Sequence, residues 1–162
     1  MIRVDQAGEF GATCIYAGQL AVLKNSPIEP TLKHMARQEE AHLKTFNDLC
    51  VSRGVQPTAL QPLWHVGGFM MGAVTALMGE KAAHACTIAV EEVIADHYQD
   101  QLDRLGTREP ELKDIITKFR EEELEHKDHA EREGGREAPA YQTITSVVKR
   151  ITRTAIWLSE KI

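Results

Sequence analysis

Apolar positions along the chain recur with a helical period, and no β-alternating run of useful length interrupts them. Prolines and glycines divide this pattern into segments. Residues 2–24 read as a first helix that ends near Asn25–Pro27. Pro30 stands where a second helix starts, because proline is tolerated in a first helical turn. That helix runs to about Ser52, ahead of Gly54 and Pro57. A third helical stretch reaches from about Pro62 to Leu105 and is closed by Gly106; its length predicts a break near Gly79. A fourth begins near Pro110 and ends before Gly134–Gly135, and the last runs from about Pro139 to the C-terminus. The expected class is all-α, a four-helix bundle with additional helices.

One segment departs from the amphipathic pattern. Between Gly54 and Gly79 there is no Asp, Glu, Lys or Arg, and residues 62–79 read PLWHVGGFMMGAVTALMG. A membrane-spanning helix needs ~20 strongly apolar residues, and this segment is shorter, with four glycines and a histidine. Two readings remain open at this point. One is a buried helix packed closely at its glycines. The other is a helix lying in a membrane interface, with Trp64 at the headgroup level.

Composition narrows the class. A chain of 162 residues is expected to form a single domain over residues 1–162. A hydrophobic fraction of 43% and a charged fraction of 27% are ordinary for a soluble globular protein. The net charge of −5 implies no nucleic-acid partner. Three cysteines, Cys14, Cys50 and Cys86, without a CxxC spacing fit reduced, buried, apolar side chains better than a disulfide framework. The opening MIRVDQAGEF reads as neither a signal nor a transit peptide, so targeting is either not needed or carried by a leader already removed.

The chemistry lies in an internal repeat. Glu9 is followed by Tyr16, Gln19 and Leu20; Glu91 is followed by Tyr98, Gln101 and Leu102. Both segments read E-x6-Y-x2-Q-L. The second helix carries Glu39 and His42, an E-x-x-H, and the fourth carries Glu123 and His126, another. The glutamate separations are 30 residues in the first half and 32 in the second. Glu91 and Glu92 are adjacent and point about 100° apart on a helix; only Glu91 keeps the offsets of the first half, which leaves Glu92 outside the set.

Residues i and i+3 share a helix face, so each E-x-x-H presents a carboxylate and an imidazole together. Two such helices, with one glutamate from each of two others, form the inward-facing ligand set of di-iron and di-manganese carboxylate bundles. Four carboxylates and two neutral histidines balance two divalent ions, as a buried site requires. Carboxylate and imidazole suit iron or manganese. The expected metal ligands are therefore Glu9, Glu39, His42, Glu91, Glu123 and His126. His34, His65, His84, His97 and His129 have no repeat partner with the right spacing; His84, seven residues before Glu91, reads as a core histidine or one that supports the ligands rather than as a seventh ligand. Tyr16 and Tyr98 read equally as packing residues or as hydrogen-bond partners of the ligands.

The segments VDQAGEFGA (4–12), IYAGQLAVL (15–23), ACTIAVEEVIADHY (85–98), EEELEHKDHA (121–130), APAY (138–141) and LSEKI (158–162) resemble the demethoxyubiquinone hydroxylase family almost end to end. The resemblance implies a ferritin-like di-iron domain with added membrane-facing and C-terminal helices. It implies a monooxygenase of ubiquinone biosynthesis that hydroxylates the ring of a demethoxy-polyprenyl-benzoquinol, using O2, two Fe ions per chain and electrons from NADH. It further implies peripheral attachment to the matrix side of the mitochondrial inner membrane, or to the cytoplasmic face of a bacterial membrane. Residues 62–79 are the expected membrane contact, and a lipid-binding protein the expected partner; a homo-oligomer is compatible with the pattern. Departures from the family's usual residues fall at Gln6, Trp157 and Lys161, and the last two are candidate contacts for reductant or quinone. The rival reading is a ferritin- or rubrerythrin-like bundle that oxidises or stores iron with the same ligands and no lipid substrate.

Overall fold

The structure is a computed structural model and describes residues 1–162. It contains six α-helices, α1 (Ile2–Val22), α2 (Glu29–Ser52), α3 (Gln61–Leu77), α4 (Glu80–Leu105), α5 (Pro110–Arg132) and α6 (Tyr141–Lys161), with one 3₁₀ turn at Gly135–Glu137 and no strand. Prolines occupy the first turns of α2, α3 and α5, where the missing N–H would have no intrahelical partner. The break between α3 and α4 falls at Gly79, whose φ of 111° a residue with a Cβ rarely adopts. The last helix starts two residues later than Pro139. Proline disfavours helical backbone at the residue before it, Ala138 is accordingly extended at ψ 138°, and Ala140 takes a left-handed φ of 57° before α6 begins.

Helices α1 and α2 form one antiparallel pair and α4 and α5 the other. A hydrogen bond between the start of α1 and the end of α2, from Gln6 Nε2 to Asn47 Oδ1 at 3.0 Å, ties the first pair together. Helix α4 is the central element, packed against α5, α6 and α3. Its alanines 82, 83, 85, 89 and 95 are buried with Ile88, Val93 and Ile94, so a helix that is apolar on most sides finds cover on most sides. Tyr16, Phe46, Tyr98 and Ile116 fill the space between the pairs. All three cysteines are buried and unpaired.

Helix α3 lies along α1. A Cβ on Gly72 would overlap the Ile15 carbonyl, one on Gly18 the Phe69 carbonyl, and one on Gly68 would stand 2.9 Å from the Gly11 oxygen. The charge-free segment is thus a helix covered on one side, as the buried reading expects, and open on the other. One face packs backbone to backbone, whereas Leu63, Val66, Phe69, Met70, Val74 and Leu77 on the other are exposed. Trp64 does not join that outer face: it is half-buried, and its Nε1 donates to Ser159 Oγ of α6 at 3.1 Å. No helix is long and apolar enough to cross a membrane.

Candidate metal centre

Glu9 of α1, Glu39 and His42 of α2, Glu91 of α4, and Glu123 and His126 of α5 converge between the two helix pairs, each 3% exposed or less. Their donor atoms form two overlapping groups. One is Glu9, Glu39, His42 and Glu123; the other is Glu39, Glu91, Glu123 and His126. The groups share Glu39 and Glu123. The geometry therefore describes two adjacent positions, with Glu9 and His42 at one end, Glu91 and His126 at the other, and two carboxylates common to both.

Buried polar atoms are almost always hydrogen-bonded, yet this cluster is full of exceptions. Glu9 Oε2, both oxygens of Glu39, His42 Nδ1, Glu91 Oε2, both oxygens of Glu123 and His126 Nδ1 have no hydrogen-bond partner. They are nonetheless close: His42 Nδ1 is 3.1 Å from Glu123 and 3.5 Å from Glu9, and His126 Nδ1 is 3.1 Å from Glu39 and 3.4 Å from Glu123. Every one of the six residues turns at least one free donor atom inward. Two divalent ions would satisfy these atoms and cancel the four negative charges, so the residues fit a di-metal group of the iron or manganese type.

Without that compensation, protons must carry the charge balance. Burial raises the pKa values of Glu9, Glu39 and Glu91, and for Glu39 and Glu91 the charge of Glu123 adds to it. Burial opposes charge on Glu123 as well, but its close contacts with His126 and His42 outweigh it and hold that carboxyl at about 2. Burial likewise disfavours the imidazolium of His42, yet its contacts with Glu123 and Glu9 push it up to about 12. His126, against Glu123 and Glu39, rises to about 11.

The repeat is completed by the tyrosines. Tyr16 Oη donates to Glu91 Oε1 at 2.8 Å, and Tyr98 Oη donates to Glu9 Oε1. Each half of the chain thus holds the other half's lone glutamate, leaving its Oε2 for the centre. Burial and the surrounding carboxylates push both phenols well above their ordinary range, so they remain donors. The glutamines follow the same rule: Gln19 Nε2 reaches the Ala83 carbonyl at 3.1 Å, and Gln101 Nε2 reaches Asp5 Oδ1. His97 joins this layer, 3.3 Å from Asp5. Glu92 turns away and accepts from Lys149 Nζ of α6 at 2.6 Å.

Two residues in contact with the cluster escape the sequence reading. His42 Nε2 lies 2.7 Å from Glu122 Oε2, and His126 Nε2 lies 3.1 Å from Gln38 Oε1. Their signal is positional, since each stands immediately before the glutamate of an E-x-x-H. Trp157 and Lys161 stay outside the buried cluster. Both are exposed on α6, with Trp157 beside a shallow basic cleft that includes Lys149, Arg150 and Arg153.

An apolar cavity of about 260 Å³ lies between α1, α3, α4 and α6. Gly8 and Val90, the residues immediately before Glu9 and Glu91, line it, together with Trp64, Met71, Ile94 and Ile156.

Comparison with known proteins agrees with the resemblance in the sequence motifs. The family described as "Ubiquinone biosynthesis protein COQ7" matches residues 1–159. The 3-demethoxyubiquinol 3-hydroxylase of Rhodospirillum rubrum is 54% identical over 162 residues, covering 99% of this chain and 76% of the relative. The human mitochondrial NADPH-dependent 3-demethoxyubiquinone 3-hydroxylase is 49% identical, covering all of this chain and 76% of the relative. The mitochondrial 5-demethoxyubiquinone hydroxylase of Saccharomyces cerevisiae is 47% identical, covering all of this chain and 77% of the relative.

Proposed function

This chain belongs to the COQ7 family of ubiquinone biosynthesis proteins, and from that premise we propose that it is a di-iron monooxygenase that hydroxylates the ring of a demethoxy-polyprenyl-benzoquinol. The observation that carries the reading is the pair of buried four-ligand groups sharing Glu39 and Glu123, together with an apolar cavity lined in part by α1 and α4, the helices of Glu9 and Glu91. The relatives' names, all hydroxylases of demethoxyubiquinone or its quinol, supply the substrate class. The overall reaction consumes one O2, two electrons and two protons; one oxygen atom enters a ring C–H and the other leaves as water. The human relative is named NADPH-dependent, and we assign the electrons to a reduced nicotinamide dinucleotide.

Glu9 and His42 would hold one iron, Glu91 and His126 the other, with Glu39 and Glu123 common to both. When bound, the irons supply the electrons that activate O2. The protein's own contribution is geometric and electrostatic. Tyr16 and Tyr98 pin the lone glutamates so that one oxygen of each faces the centre. Burial excludes bulk water from the reacting atoms. The cavity accepts the ring and the first part of the tail along Gly8 and Val90, the chain neighbours of Glu9 and Glu91, and the exposed apolar face of α3 meets the membrane from which the lipid arrives. The human and yeast relatives are named mitochondrial; for this chain we propose peripheral attachment at the matrix face of the inner membrane, or at the cytoplasmic face in a bacterial cell. A lipid-binding protein is the proposed partner in presenting the substrate.

The test is turnover under ¹⁸O2 with iron-loaded protein, a short-tailed demethoxyquinol and reductant. One ¹⁸O atom in the ring is expected. Iron oxidation without ring oxygenation would overturn the hydroxylase reading in favour of an iron-oxidising or iron-storing bundle.

A further inference from the structure

The two metal positions are nearly alike in the groups that face them. Each end has a lone glutamate held by a tyrosine and an imidazole that presents Nδ1, and the two shared carboxylates lie between them. Behind the imidazoles the likeness stops. His42 Nε2 meets the carboxylate of Glu122 at 2.7 Å, whereas His126 Nε2 meets the neutral amide oxygen of Gln38 at 3.1 Å. The pairing is crossed: Glu122 precedes Glu123 on α5 but holds the α2 histidine, and Gln38 precedes Glu39 on α2 but holds the α5 histidine. Lys118 touches the other oxygen of Glu122, at 3.7 Å, leaving Oε2 to the imidazole.

A histidine with Nδ1 turned to a metal donates through Nε2–H. A carboxylate acceptor fixes the ring and makes the ligand more basic, and loss of such a partner typically costs about 10–100-fold in metal affinity. A neutral amide accepts a weaker, uncharged bond. We propose that Glu122 and Gln38 are positioning residues that make the two metal positions unequal, the Glu9/His42 position binding more tightly than the Glu91/His126 position. The proposal rests on the di-metal reading given above.

The experiment is titration of the metal-free chain of residues 1–162 with Co(II), followed by visible absorption and by competition with a chelator. Wild type takes up two Co(II) in two steps, the first at the Glu9/His42 position. Glu122→Gln weakens the first step by about 10-fold or more and leaves the second within about twofold. Gln38→Glu does the reverse: it tightens the second step by about 10-fold and leaves the first within about twofold. A purely structural role for Gln38 would not produce that gain, and the Gln38→Glu result stands even if Glu122→Gln fails to fold by circular dichroism. Two bound Co(II) with both steps unmoved by Gln38→Glu would overturn the inequality while leaving the di-metal reading intact. Fewer than two Co(II) per wild-type chain would overturn both.

Discussion

At the scale of single residues, the centre is a set of donors whose partners come from the opposite half of the chain. Removing the phenol of Tyr98 or Tyr16 leaves a buried glutamate oxygen unsatisfied, and hydrogen bonds to charged groups contribute about 1.5–3 kcal/mol. Tyr98→Phe in the metal-loaded protein is expected to lose stability of that order, about 2 kcal/mol, as measured by urea denaturation; no change would mean that Glu9 is held by something else. The titrating groups set a pH dependence with a definite sign. Glu9, Glu39 and Glu91 are raised in the fold, and His42 and His126 are raised to about 12 and about 11. Raised groups contribute stability below their unfolded values that fades as pH climbs toward the folded ones. The metal-free protein is therefore expected to lose the glutamates' share of stability as pH rises above about 4.3 and the histidines' share above about 6.5, whereas the share of Glu123, held at about 2, is lost as pH falls below about 4.3. Metal ions replace these protons, so the loaded protein is expected to show a flatter profile over the same range and to release protons on loading. Thermal unfolding with and without metal from pH 6 to pH 9 checks both. Much of this was legible in advance: the repeat singles out Glu91 over Glu92, and the structure sends Glu92 to Lys149. The roles of Glu122 and Gln38 were not, because a polar residue beside a metal-facing one gives no spacing signal until the helices are crossed.

At the scale of elements, helix breaks followed proline and glycine chemistry, and the Gly79 break fell where the sequence put it. The fate of residues 62–79 was harder to read, because composition cannot say which side of an apolar helix is covered. The answer lies in the glycines. Gly18 and Gly72 admit backbone contact between α1 and α3, but Gly67 has nothing within 4 Å of a Cβ. Gly72→Ala is expected to cost about 1–3 kcal/mol by overpacking. Gly67→Ala on the same helix is expected to be neutral or to stabilise by about 0.5–1 kcal/mol, the usual gain of alanine over glycine. Chemical denaturation of the two variants separates them; equal losses would contradict the close approach. Trp64 is the instructive miss at this scale. An aromatic in an apolar segment suggests an interfacial anchor, but its indole N–H finds Ser159 and its ring lines the cavity.

At the scale of the whole molecule, α1 carries Glu9 of the metal-suited centre and also lines the apolar cavity, and α3, which lines the same cavity, leaves apolar side chains exposed. That arrangement suits a lipid substrate that must leave a membrane without entering water. A liposome flotation assay bears on the outer part. Phe69→Glu with Met70→Glu, both on the exposed face of α3, is expected to reduce the bound fraction severalfold while leaving metal content intact; unchanged flotation would contradict the membrane role of that face. The inner part is the central claim, and Mössbauer spectroscopy of protein reconstituted with ⁵⁷Fe(II) tests it most directly. The account predicts two high-spin ferrous ions per chain that convert on exposure to O2 into one exchange-coupled, diamagnetic diferric pair. A single ferrous ion per chain, or oxidation to magnetically isolated ferric ions, would contradict it.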